Sequence, residues 1–370
     1  MSSMRKKDPW YNQIKRTLWR STQTANVFTS GLTASASASG QIKIFYGGAR
    51  TGDVGGPLVK VKRLREHFPE SKWSYNLVYA LSNAAYLSEN ALNLIKKRRI
   101  PIVLNQNGVF YPGWYEGEWQ KMNAQMALAY HRADYVFWQT EFCRRTAQKY
   151  LGPREGAGEV LFNAVDTLKF RPSHGSRDRP FTFLLTGNID AHLSYRILSA
   201  VAGLRSARDA GFYARLVIAG RAVSDVVQAV KQSAKKLGLE EDVDFLGAYT
   251  QSAAPEIYQN ADAYIMMKYL DSCPNTVLEA MASGLPVLYS ESGGVPELVG
   301  PTAGIGLKIP ECWEETSITP PPEEIGKGMI DVMERVSDMS RAARQRAERK
   351  FDIINWIERH RQIFINLMER

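Results

Sequence analysis

From Gln41 onward, short apolar runs alternate with longer amphipathic stretches, the pattern of a parallel β-sheet covered by helices. The runs predict strands at 42–46, 75–80, 102–105, 135–138 and 160–162 in the first half. After the polar segment FRPSHGSRDR (170–179), which carries Pro, Gly and Ser, a second alternation predicts strands at 181–185, 215–219, 244–246, 263–266, 287–289 and 306–309. Two doubly wound α/β domains account for this order, and ligands of such sheets bind beyond the carboxyl ends of the strands. The cleft between the two domains is therefore the expected site. The expected division is a basic amphipathic segment and Ser/Ala linker over 1–40, a first domain over 41–172, a linker over 173–180, a second domain over 181–350 and a C-terminal helix over 351–370, packing back towards the first domain. Residues 339–370 read as helical, with Phe351, Ile354, Trp356, Ile357 and Ile363 as the apolar face.

Before Gln41 the pattern changes. Asp8 is placed to cap a helix with Pro9 in its first turn, and Trp10, Tyr11, Ile14, Leu18 and Trp19 recur at helical spacing. Basic residues flank that face, the composition of an interfacial helix drawn to anionic lipid, and equally of a helix docked on the protein's own surface. TSGLTASASASG (29–40) reads as linker, so the folded part is expected to begin near Gln41.

Composition narrows the classes. The chain has 370 residues, 44% of them hydrophobic, which suffices for a large core and excludes extensive disorder. The absence of any apolar run of about 18–20 residues argues against a spanning helix, and the charged start argues against a secretory leader. Net charge is +9, but the first 25 residues hold six basic side chains against Asp8 alone. That concentration and the lack of readout motifs argue against a nucleic-acid partner. Cys143, Cys273 and Cys312 show neither a disulfide nor a zinc spacing. A cytoplasmic chain is expected, with residues 8–20 a candidate for peripheral contact with the inner face of a membrane.

The densest chemistry lies in DSCPNTVLEAMASGLPVLYSESGGVPELV (271–299). Pro274 suits a first helical turn and Gly284 with Pro286 ends the helix. Glu279 then sits roughly 7–8 Å along from the helix start, so Asp271 and Glu279 can grip separate parts of one elongated ligand. The N–H groups of Asn275 and Thr276 face an anion, and Gly293-Gly294 opens another helix where backbone can approach a phosphate. A nucleoside diphosphate sugar satisfies this set.

The stretch resembles the acid-x7-acid signature of the retaining glycosyltransferases of family 4, whose fold is GT-B, with Asp271 and Glu279 at the acidic positions. Asn163-Ala164-Val165-Asp166, Phe245-Leu246-Gly247 and Ala261-Asp262-Ala263 extend the resemblance across much of 41–370. It implies that Glu279 binds the donor ribose, that Asp271 contacts the transferred sugar, and that Asn275, Thr276, Gly293 and Gly294 face the diphosphate. Gly52 to Pro57, with Gly55 and Gly56, resembles the family's glycine loop near donor phosphate and acceptor.

Departures from the family are also informative. Asp271 is one methylene shorter than the family's usual Glu, and Asn188 stands where the family has an Arg. Arg196, Arg221 and Lys268 are the cations available to replace it. Asn107 occupies the region of the usual histidine and can donate to a sugar or a leaving phosphate, while Trp114, with Tyr111, Tyr115 and Trp119, offers an acceptor platform. No cofactor or metal is expected, and Asp242-Val243-Asp244 reads as a turn. The leading expectation is a retaining, metal-independent hexosyltransferase that moves sugar from a nucleoside diphosphate to a glycan or lipid-linked acceptor in cell-surface polysaccharide synthesis. A nucleotide-sugar or glycan binding module without transfer activity, and an epimerase, are the alternatives.

Overall fold

A computed structural model describes residues 10–30, 41–52, 56–173, 179–314 and 317–369. The chain divides into two compact units. The first runs up to Phe162 and takes back Ile354–Arg370, and the second contains Asn163–Ile353. The division falls ten residues before the expected boundary at 172. The reason lies in the hydrogen bonds: Val165 N donates to Phe351 O at 2.8 Å, Ile353 N to Val165 O at 3.1 Å, and the Asn163 side chain, through Nδ2, to Cys273 O at 2.9 Å. Residues 163–172 thus belong with the second unit, and 174–178 lie outside the described residues.

In the first unit the order is α1 (Trp10–Thr29), β1 (Ile44–Phe45), α2 (Gly56–His67), β2 (Leu77–Leu81), α3 (Glu89–Lys97), β3 (Ile102–Gln106), α4 (Trp119–Arg132), β4 (Tyr135–Trp138), α5 (Glu141–Leu151) and β5 (Ala157–Val160). All five strands are parallel, in sequential order β1-β2-β3-β4-β5. One face of the sheet, with Val78, Leu104 and Val136, packs on apolar residues of α3, α4 and α5. Strand alternation sends Tyr79 and Phe137 to the other face. There they meet the returning C-terminal helix: Tyr79 Oη is 3.0 Å from His360 Nε2, and the Phe137 and His360 rings are 4.5 Å apart.

β5 lies at 157–160 rather than 160–162. As an edge strand it has exposed residues at its start, so the apolar signal is confined to its end. α1 also departs from expectation. Its second half is folded onto the unit: Val27 is buried in the core, Trp19 Nε1 donates to Gly48 O at 2.9 Å, and Arg98 donates to Val27 O at 3.1 Å. The folded part therefore begins within α1 and not near Gln41. The expected cap at Asp8 and Pro9, and 31–40 of the expected linker, lie outside the described residues.

The second unit runs β6 (Phe181–Thr186), α6 (Tyr195–Asp209), β7 (Ala214–Ala219), α7 (Ser224–Lys236), β8 (Val243–Gly247), α8 (Ala254–Gln259), β9 (Ala263–Met266), α9 (Asn275–Ala282), β10 (Val287–Glu291), α10 (Val295–Val299), β11 (Gly304–Lys308), α11 (Pro322–Glu334) and α12 (Val336–Lys350). Its parallel sheet has the order β11-β10-β9-β6-β7-β8. The sequence reverses direction between β6 and β9, so the carboxyl ends of those strands flank a topological switch point. β11 starts at Gly304, two residues before the expected start. A Cβ there would stand 2.0 Å from Val287 O, so glycine is what lets the strands pair.

α13 (Ile353–Met368) ends the chain. Trp356, Ile357 and Ile363 are buried as expected, but Ile354 is 67% exposed, and His360 and Phe364 complete the buried face instead. The three cysteines are free thiols.

Candidate functional site

The expected donor-side residues of the second unit gather around the β6/β9 switch point. Leu270, just past β9, has φ +49°, a left-handed conformation that a branched residue adopts only under constraint. The constraint is visible: Leu270 N donates to Ser292 Oγ at 3.1 Å and Gly294 N to Asp271 O at 2.8 Å. Gly293 has φ +66°, and a Cβ on it would lie 2.3 Å from Asp271 O. The Asp271 loop and the Gly293-Gly294 turn, some twenty residues apart in sequence, are thus locked together by backbone contact.

Asp271 is not alone. Its Oδ2 accepts from Lys268 Nζ at 2.6 Å, and its Oδ1 accepts from Cys273 N at 3.2 Å. Lys268 therefore sits on the first acid of the motif. α9 then begins at Asn275 after an extended Pro274, with no side-chain cap on its first turn. Asn275 Oδ1 is buried without a partner among the described residues.

Glu279 is 5% exposed on α9. Tyr258 Oη donates to its Oε2 at 3.0 Å, and Thr186 Oγ1 lies 3.0 Å from both Tyr258 Oη and Tyr264 Oη. A carboxylate only accepts, so Tyr258 spends its proton on Glu279 and takes one from Thr186, which takes one from Tyr264. The chain of hydroxyls points its dipoles at one carboxylate. Burial and the Glu279 charge together push the Tyr249 and Tyr258 hydroxyls up, so both stay protonated donors. Sequence reasoning missed Thr186, Tyr249, Tyr258 and Tyr264, because no spacing links residues from β6, the loop after β8, α8 and β9.

The cations separate clearly. Arg196, in the first turn of α6, is 4% exposed and donates through Nη2 to Thr186 O at 3.2 Å. Its Nε is buried unpaired, and among the described residues no carboxylate is in ion-pair reach of it. Arg221, by contrast, has a side chain 68% exposed with a loose 3.6 Å pair to Asp190. Both acids of Asp242-Val243-Asp244 are engaged in ion pairs, with Arg208 and Arg215.

In the first unit, Asn107 is nearly buried at the end of β3. Its Oδ1 accepts from Gln139 Nε2 and stands 3.5 Å from Lys60 Nζ, while its N donates to Ser82 Oγ at 3.0 Å. Its Nδ2 is buried without a partner among the described residues. Tyr111 and Tyr115 of the aromatic platform are buried, while Trp114 and Trp119 stay half-exposed, Trp114 beside Phe110 at 5.1 Å and Trp119 edge-on against Tyr150. Gly56 opens α2, and Gly55 lies outside the described residues.

Residues 166–347, within the second unit, match the family model for glycosyl transferases group 1. Two structures with the same fold are a glycosyltransferase from Rickettsia africae, with TM-score 0.65 and 15% identity over 94% of this chain and 95% of that one, and Anabaena HepE in complex with UDP, with TM-score 0.61 and 19% identity over 84% and 82%. The chain thus has the GT-B fold, two parallel-sheet α/β units.

Among curated relatives, a D-inositol 3-phosphate glycosyltransferase of Nocardia farcinica is 33% identical over 43% of this chain and 38% of its own length. A GDP-mannose-dependent phosphatidylinositol monomannoside mannosyltransferase of Mycobacterium tuberculosis is 26% identical over 45% and 46%. The chain spans half or less of the length of the curated relatives it matches. No helix among the described residues is long and apolar enough to cross a membrane.

Proposed function

We propose that this protein is a retaining glycosyltransferase that moves a hexosyl group from a nucleoside diphosphate sugar to a glycan or lipid-linked acceptor. The observation that carries the reading is a buried arginine, Arg196, that has no carboxylate partner among the described residues and shares Thr186 with the hydroxyl chain that ends on buried Glu279. A buried cation without a counter-ion is costly, and a diphosphate supplies the missing charge. Arg196 and the first turn of α9 then neutralise the diphosphate, Glu279 accepts from the ribose hydroxyls, and Asp271 accepts from the sugar. In a front-face transfer the departing diphosphate takes the acceptor proton, and the protein contributes position and stabilisation of the leaving charge. The scheme assigns no step to a metal or cofactor.

A lipid-linked acceptor would bring the chain to a membrane surface, which suits the exposed Trp10, Tyr11, Ile14 and Leu18 of α1. The relatives' names include GDP-mannose and the structural neighbours hold UDP, so these nucleotides head the panel to be tried.

One observation favours a second reading, donor binding without turnover: both oxygens of Asp271 are engaged, by Lys268 and by Cys273 N. Nucleotide release from UDP, GDP, ADP and dTDP sugars, run with acceptor extract and with Glu279→Ala in parallel, separates the two. Release by the wild type that the variant loses is the expected result. Binding without release from any donor would move the non-transferring module ahead.

A further inference from the structure

The first unit holds a pocket that sugar transfer at Glu279 leaves unused. It is a cavity of about 280 Å³ beyond the carboxyl ends of β2 and β3, where residues 82–86 and 110–115 leave the strands. This is the edge at which parallel α/β sheets take ligands. One wall is α1, a helix that precedes β1 and lies outside the β–α alternation, and the other is α4.

The lining is cationic on one side and apolar on the other. α1 contributes Arg16 and Arg20, and α4 contributes Lys121. The acid among the lining residues, Glu118, is held by Lys121 at 2.9 Å. Arg20 has no carboxylate within ion-pair reach among the described residues, and its Nε is buried without a partner. Burial accordingly lowers its pKa, with no compensating charge. Phe110, Tyr115, Met122 and Met126 line the same cavity. An inorganic anion would satisfy the arginine but leave these side chains against water, whereas a hydrocarbon segment attached to the anion covers both. The outer surface of α1 adds charge and shape of the same kind: Trp10, Ile14 and Leu18, spaced by four residues, are exposed, and Lys15 lies beside them.

We propose that this pocket binds the anionic headgroup of an amphiphilic lipid, with Arg16 and Arg20 on the anion and Phe110, Tyr115, Met122 and Met126 against the start of the tail. The proposal concerns the first unit alone and stands whether or not transfer takes place in the second.

The test is calorimetric titration of the intact chain with dihexanoyl phosphatidylglycerol below its micelle concentration, with dihexanoyl phosphatidylcholine and inorganic phosphate as the other arms. Expected is saturable binding of the anionic lipid at one per chain, with the zwitterionic lipid and phosphate alone each at least about ten-fold weaker. Arg20→Gln should weaken the anionic lipid about ten-fold with thermal unfolding unchanged or raised. Lys121→Glu, at a side chain 69% exposed, keeps the fold and should weaken it as well. The proposal is overturned if the anionic lipid does not saturate, if phosphatidylcholine or free phosphate binds as tightly, or if Lys121→Glu leaves the affinity unchanged.

Discussion

Arg196 and Glu279 divide the work of the candidate donor site by their burial. Both are almost inaccessible, one donating to the backbone carbonyl of Thr186 and one at the end of a hydroxyl chain. Replacing Arg196 by Met keeps the volume and removes an uncompensated charge, so thermal stability should hold or rise while diphosphate affinity falls by about ten-fold or more. Calorimetry with UDP and GDP alongside a melting curve reads both, and a variant that lost stability but kept affinity would contradict the assignment. Gly293→Ala should act through geometry instead. A Cβ at φ +66° and 2.3 Å from Asp271 O must push the Asp271 loop away, at a cost of about 1–3 kcal/mol in denaturant unfolding and with loss of turnover. Some of this was legible in the sequence. Lys268, Asp271 and Gly293-Gly294 were each candidates from the sequence, but the contacts that join them were not readable there. The burial of Arg196 and the exposure of Arg221 could not be read, because both follow a strand in a polar context and only the packing of α6 separates them.

α1 and α13 show how a helix's sequence can mislead about its job. The amphipathic face of α1 suggested one surface along 8–20, whereas the structure uses two: an exposed stripe at Trp10, Ile14 and Leu18, and a docked stripe at Gln23 and Val27 that continues to Ser30 just past its end. Val27→Ala should cost about 2 kcal/mol in chemical unfolding and Ile14→Ala less than about 0.5 kcal/mol, which tests the division directly. In α13 the apolar periodicity was readable, but His360 broke it in the sequence and completes it in the structure, with its Nδ1 2.8 Å from Trp356 O and Nε2 at Tyr79 Oη. Burial pushes its pKa down to about 3, with Lys60 adding to the shift. The folded state therefore keeps His360 neutral while the unfolded chain takes up a proton near pH 6.5. Stability from this group is complete above about pH 6.5 and is lost progressively as the pH falls towards 3. His360→Gln should flatten that part of the pH profile of the unfolding midpoint, and an unchanged slope would show that other groups set it.

The alternation of apolar runs was enough to give two parallel sheets, because strands buried on both faces read as continuous apolar segments. Their ends were less legible. β5 is an edge strand with little to bury, and β11 begins at a glycine chosen for closeness rather than apolarity. The boundary between the units was hidden for a related reason: 163–172 is held to the second unit by hydrogen bonds to the carbonyls of Phe351, from Val165 N, and of Cys273, from the Asn163 side chain, which leave no mark on composition. What the architecture places with most consequence is a switch point between β6 and β9 with buried Arg196 on α6 and buried Glu279 on α9. The most direct test of that arrangement is equilibrium binding of UDP, GDP, ADP and dTDP to the intact chain and to Glu279→Gln. Saturable binding of one nucleotide, weakened about ten-fold or more in the variant, is the expected result. Failure of all four to bind the wild type, or equal binding by the variant, would contradict a nucleotide site at Arg196 and Glu279.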